Sequence, residues 1–162
     1  MLDNLKSQKR ELLSELQRCM ELFNSQIFIN HQVFTQSAFI EILIRLNYIL
    51  QGLNKKNNRI IWADDVKADQ STKDITDLIH RSRNAACHSD SPENYIGNSS
   101  MKFVFNTFAG KCPNAIQIGQ NISIGNEYQD DIAFYYGDKR IYLIRHIKRL
   151  LEELPNEINK LK

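Results

Sequence analysis

The residues with the most chemical potential fall in one short stretch, Arg83-Asn84-Ala85-Ala86-Cys87-His88. An imidazole titrates near neutral pH, so His88 suits general acid–base work. A guanidinium offers a planar fork of donors, so Arg83 could grip an anion or a carboxylate. The chain has no carboxylate cluster of the kind that holds two metal ions about 4 Å apart. His80, Cys87 and His88 lack the i, i+4 spacing of a helical zinc pair, and there is no Cys-x-x-Cys. The chemistry expected is therefore free of metal and of any cofactor. Cys87 has cationic neighbours but no motif that marks it as a nucleophile. A plain structural role competes with all of this: His88 could answer a helix dipole, and Arg83 could pair with a surface carboxylate.

These residues need a rigid platform. Ser71-Thr72-Lys73-Asp74 resembles a capping box with Asp at its last position, and it predicts a helix that begins there. At 100° per residue, Leu78, Ile79, Ser82, Ala85 and Ala86 gather within about 60° of Ile75 or slightly beyond. Asp77, His80, Arg83, Asn84, Cys87 and His88 collect on the opposite side. Small Ser and Ala on the inner face permit close packing, which would hold the polar face still. Ser89-Asp90-Ser91-Pro92 ends the helix, because proline disfavours helix at and just before itself. His80, one turn before Asn84, is a weaker candidate for the same site.

Two amphipathic helices precede this one. The first carries Leu5, Leu12, Leu16, Cys19 and Phe23 on one stripe, and it breaks at Asn24-Ser25 or at Asn30-His31. The second runs to about Leu53 with Phe34, Phe39, Ile42, Leu43, Leu46, Ile49 and Leu50, and ends in the polar stretch from Gly52 to Asn58. Ile60-Ile61-Trp62 is expected to tuck onto the bundle. Between Met101 and Tyr136, short β-branched and aromatic runs separated by Gly and Pro predict a small antiparallel sheet. The runs are 102–105, 115–118, 121–124 and 132–136. A last helix is expected from about Lys139 to Leu154, with Ile144, Ile147, Leu151 and Leu154 on one stripe and Pro155 closing it. Its Arg145, Lys148 and Arg149 could track a phosphate backbone, or could simply be solvated. Asp130-Asp131 has no evident partner. The fold class expected is mainly α: one domain over 1–162, an antiparallel helical bundle with a β-rich insertion at about 101–137.

Composition excludes several classes. A hydrophobic fraction of 42% and a charged fraction of 25% are those of a globular protein, not a disordered one. The net charge of +2 says little about nucleic acid, since clustering matters more than totals. Three cysteines without paired spacing suggest a reducing compartment. The polar start, Met1 to Lys6, predicts no signal peptide. No apolar run approaches the ~20 residues of a membrane span, so a cytoplasmic location is expected.

Arg83-Asn84, three residues and His88 resemble the R-x4-H motif of the HEPN superfamily, with Asn at its common second position. HEPN domains are helical bundles of about this size with the motif near the end of a late helix. The resemblance spans roughly residues 2–90 and 139–154 and leaves the β-rich stretch outside. It implies a homodimeric ribonuclease, in which two protomers appose their motifs and cut RNA without metal: His88 as general acid or base, Arg83 stabilising the charge that grows on the phosphate, and Asn84 orienting the histidine or the phosphate. It also implies use as a toxin or defence component with an antitoxin or other regulatory partner. Some toxin members carry a modified tyrosine two residues after the histidine; Asp90 stands there, so that mode of regulation is not implied. The alternative is a non-catalytic HEPN-like domain that binds RNA or a partner protein.

Overall fold

A computed structural model describes residues 2–30, 33–97, 99–119 and 122–161. Among these residues there are four α-helices: α1 (Leu2–Asn24), α2 (Thr35–Asn54), α3 (Ile75–Cys87) and α4 (Arg149–Lys160). Between α3 and α4 lie a 3-10 turn (Pro92–Asn94) and five strands. These are β1 (Val104–Ala109), β2 (Cys112–Ile118), β3 (Ile122–Asn126), β4 (Ile132–Tyr136) and β5 (Lys139–Tyr142). A π-helical turn, Leu143–Lys148, leads into α4. The architecture is mixed: helices with small antiparallel sheets.

The first break falls at Asn24, the earlier of the two expected places; His31, at the later one, lies outside the described residues. The strands form two sheets rather than one: a three-stranded sheet in the order β1-β4-β5, and a separate β2-β3 hairpin. β5 occupies residues expected to begin the last helix. Lys139-Arg140-Ile141-Tyr142 pairs antiparallel with β4, from Ala133↔Tyr142 to Tyr136↔Lys139. The turn between these strands needs Gly137 (φ +57), and a Cβ there would stand 2.2 Å from the Glu93 carbonyl oxygen. The backbone of the 3-10 turn therefore packs directly against the strand turn.

Pro155 does not close the last helix, which runs through it to Lys160. Proline removes one backbone bond there, but Leu150, Leu151, Leu154 and Ile158 are buried on both sides of it and hold the helix by packing. The sheet is part of the core. Phe134 stacks on Phe39 of α2 with ring centroids 4.2 Å apart, and Phe134, Tyr136 and Ile141 join α1, α2, α3 and α4 in one apolar cluster. Ile60 is buried as expected, and Trp62 donates to Glu153 Oε2 at 2.8 Å, but Ile61 is exposed.

Two polar groups start the final helix. Asp131, with no exposed side-chain surface, accepts from the backbone N–H groups of Ile132, Ile144 and Arg145 at 2.7, 2.8 and 3.0 Å. His146 is fully buried; its Nδ1 accepts from the Tyr142 N–H at 3.1 Å, so its Nε2 carries the proton toward the Asp64 carbonyl, 3.2 Å away. Burial pushes this imidazole down from its ordinary 6.5 to about 4, against the opposing influence of the Asp64 carbonyl and of Asp65 and Asp131. The folded chain thus holds His146 neutral while the unfolded chain protonates it near 6.5. Its contribution to stability is complete above that pH and is lost as pH falls toward 4, by at most about 3 kcal/mol. Melting curves from pH 7 to 4.5 should show a steeper loss for the wild type than for His146→Gln; equal slopes would refute this role.

Candidate functional site

The start of α3 is pinned from outside the helix. Asp74, not the Ser71 of the expected capping box, is the N-cap: its carboxylate accepts from the Asp77 N–H at 2.9 Å. Arg59 grips the same carboxylate through Nε and Nη2 at 2.9 and 2.8 Å and reaches Asp77 at 2.6 Å. The buried Thr76 hydroxyl donates to the Ile60 carbonyl at 2.7 Å. Ile75, Leu78, Ile79, Ser82 and Ala85 face inward as the wheel requires, with Ala86 half-buried.

The other end of α3 is anchored just as firmly. Arg81 forms a bidentate pair with Glu93 of the 3-10 turn, Nε to Oε1 at 2.8 Å and Nη2 to Oε2 at 2.7 Å. It also reaches Asp69, Ser71 and Thr72, and Lys139 adds a second cation to Glu93 at 2.9 Å. The His88 carbonyl accepts from Asn94 Nδ2 at 2.8 Å and from the Ser91 N–H at 3.0 Å. The sequence motif is therefore fixed in backbone by residues that no motif singles out. Arg81 escaped the sequence reading because its partner lies in the turn after the helix, beyond any i, i+4 rule.

Within this frame the motif residues behave differently from one another. Arg83 is half-buried and among the described residues pairs with no carboxylate; its one side-chain hydrogen bond among them runs from Nη1 to Asn84 Oδ1 at 3.1 Å. Its Nε is sealed from solvent with no acceptor among the described residues. Asn84 Nδ2 then donates to His80 Nε2 at 3.2 Å, and His80 Nδ1 contacts Asn47 Oδ1 of α2 at 3.1 Å. The donors fix the imidazole as the Nδ1–H tautomer, so a continuous string runs from Asn47 through His80 and Asn84 to Arg83. His80 is exposed, yet bonded at both ring nitrogens.

His88 lies outside that string. α3 ends at Cys87, and His88 is its C-cap with extended backbone (φ −128, ψ 106), so the helical wheel that set it above Asn84 does not apply to it. Its backbone N–H still bonds the Asn84 carbonyl at 3.1 Å, but its ring is exposed and makes no hydrogen bond among the described residues. Arg83 and His88 thus share one helix end without touching through a hydrogen bond. Cys87 is exposed, and Cys19, Cys87 and Cys112 are all free.

The basic residues of the last helix are already engaged. Arg145 pairs with Asp130 and Asp131, both at 3.0 Å, and lies over the Tyr128 ring. Arg149 pairs with Asp64 at 2.9 Å and Glu153 at 2.8 Å and covers Trp62. Lys148 stands 3.7 Å from Glu152. The expected phosphate-tracking face is therefore a set of internal ion pairs, and Asp130-Asp131 is its missing acidic half. No group of His, Cys, Asp and Glu side chains that could hold a metal occurs among the described residues. No described helix is long and apolar enough to cross a membrane.

Comparison with known proteins places the chain nowhere: no family model matches it, and no curated protein or solved structure is significantly similar.

Proposed function

We propose that the protein is a metal-independent endoribonuclease of HEPN type, with the helices as an HEPN-like bundle and the β-rich stretch as an insertion before the last helix. The observation that carries the proposal is the state of Arg83. Arg45, Arg59, Arg81, Arg145 and Arg149 each face a carboxylate, whereas among the described residues Arg83 is left with an amide oxygen and one buried N–H without an acceptor. A desolvated donor with no partner is costly to keep, and a phosphate would satisfy it bidentately. The exposed His88 ring at the same helix end is free to move a proton.

In this reading two copies of the chain appose their α3 ends, since one Arg and one His cannot manage attack, leaving group and charge together. An isologous pair is the commonest geometry for that. One His88 takes the proton from the RNA 2′-hydroxyl, whose oxygen attacks the adjacent phosphorus. The bond from phosphorus to the 5′-oxygen breaks, and the partner's His88 returns a proton to that oxygen. Arg83 holds the charged phosphorane, and Asn84, steadied by His80 and Asn47, holds Arg83. Such an enzyme fits a cytoplasmic toxin or phage-defence component restrained by an antitoxin or other regulator. A second reading, a non-catalytic module that binds RNA or a protein, draws on the separation of the His88 ring from the Arg83 string.

The deciding experiment incubates the purified protein with total RNA and tRNA. Cleavage should persist in excess EDTA and leave 2′,3′-cyclic phosphate and 5′-hydroxyl ends. Methylating the 2′-hydroxyl at the cut site should abolish it, and DNA of the same sequence should stay intact. Loss on chelation with rescue by magnesium, or cutting of the DNA strand, would overturn the mechanism. RNA bound but never cut would favour the second reading.

A further inference from the structure

A cavity of about 180 Å³ lies between the β2-β3 hairpin and the β4-β5 strands, formed by parts of the chain that the α3 motif does not use. Its apolar walls are Ile122 and Ile124 of the hairpin and Tyr135 of β4. The Tyr135 hydroxyl is already committed, donating to the Gly125 carbonyl at 2.7 Å and accepting from the Gly125 N–H at 3.2 Å, so it offers its ring to the cavity. Two cations line the same space, Lys67 and Arg140.

Neither cation is held by a close carboxylate among the described residues. The Lys67 ammonium makes no ion pair or hydrogen bond among the described residues. Arg140 lies over the Tyr142 ring, 4.8 Å from its centroid, and its one carboxylate, the half-exposed Glu127, is 3.4 Å away, at the long limit of a hydrogen bond. Its Nε is buried without an acceptor among the described residues. The one acidic side chain of the lining, Asp138, is held by Lys139 at 2.5 Å, so its charge is answered locally. The lining therefore combines an ammonium without an ion pair among the described residues and a partly desolvated guanidinium whose carboxylate partner is distant with a hydrophobic wall. Such a site favours an anionic head joined to a compact apolar body.

We propose that this cavity is a binding site for a small organic phosphate monoester, its phosphate on Arg140 and Lys67 and its apolar part against Ile122, Ile124 and Tyr135. The site is independent of the chemistry assigned to α3. Three probes test it on the full chain by NMR titration: phenyl phosphate, inorganic phosphate, and phenol as the uncharged counterpart. Phenyl phosphate should bind saturably, one per chain and several-fold tighter than inorganic phosphate, shifting the amides of Ile122 to Ile124, Tyr135 and Arg140, while phenol should leave them unmoved. Arg140→Met and Lys67→Met should each weaken phenyl phosphate by at least ~10-fold, the scale of one charge-assisted hydrogen bond. Arg140 packs among tyrosines, so if its variant misfolds, Lys67→Met at the exposed rim decides the matter. Three results would overturn the site: no saturable shift at these amides, phenol binding as well as phenyl phosphate, or unchanged affinity in a folded variant.

Discussion

Alanine at His88 or at Arg83 should each lower RNA cleavage by at least ~100-fold, the loss typical of removing a general acid–base group or a charge-stabilising donor. The two variants should nonetheless melt close to the wild type. The His88 ring is exposed and makes no hydrogen bond among the described residues, so its removal should disturb little. Arg83 gives up one bond to Asn84 but also takes away a buried N–H without a partner, and the two effects offset. Arg83→Lys keeps the charge and loses the fork, so it should recover little activity. Cleavage assays paired with thermal melts check all three. A sharp fall in melting temperature without any effect on RNA would make the motif structural.

The largest effect on stability is expected at Asp131. Its buried carboxylate receives three backbone N–H groups and the Arg145 guanidinium at 3.0 Å, so it caps the final helix and pairs a charge at once. Asp131→Ala strands all of these donors and should cost about 3 kcal/mol or more, which is roughly a 6–12 °C drop in melting temperature for a chain of this size. Asp131→Asn keeps one acceptor oxygen and should cost less. The neighbouring Asp130 is 71% exposed and among the described residues pairs with Arg145 alone, so Asp130→Ala should change little. Equal losses at the two positions, measured by denaturant unfolding, would refute the assignment.

These two sites also show what the sequence made legible. The inner face of α3 could be read because its burial repeats with the helical period, and Ile75, Leu78, Ile79, Ser82 and Ala85 are where that period puts them. His88 could not be placed, because the wheel holds only while the helix continues, and it ends one residue earlier. Asp131 looked partnerless because it caps a helix that starts a dozen residues later, across a strand pair, where no local capping pattern reaches. β5 was hidden for a related reason: four residues that continue into a helix carry too short an alternation to declare a strand. Pro155 misled in the opposite direction, since packing on both sides outweighed one lost backbone bond. The candidate residues Arg83, Asn84 and His88 came from type and spacing; the string through His80 to Asn47 depends on how α2 and α3 pack, which no spacing along one helix reveals.

The stacking of Phe134 on Phe39 joins β4 to α2, and the Lys9 ammonium donates to the Asn159 carbonyl at 3.0 Å across 150 residues of sequence. Both contacts close late in the growth of the chain. Until β4, β5 and α4 leave the ribosome, α1 and α2 cover each other and α3 covers α2, but the apolar surface that β4, β5 and α4 bury stays open. Completion of the core during synthesis thus waits for residues 132–160, and a nascent chain paused after α3 should be more exposed to chaperones and to aggregation than one that has passed Lys160.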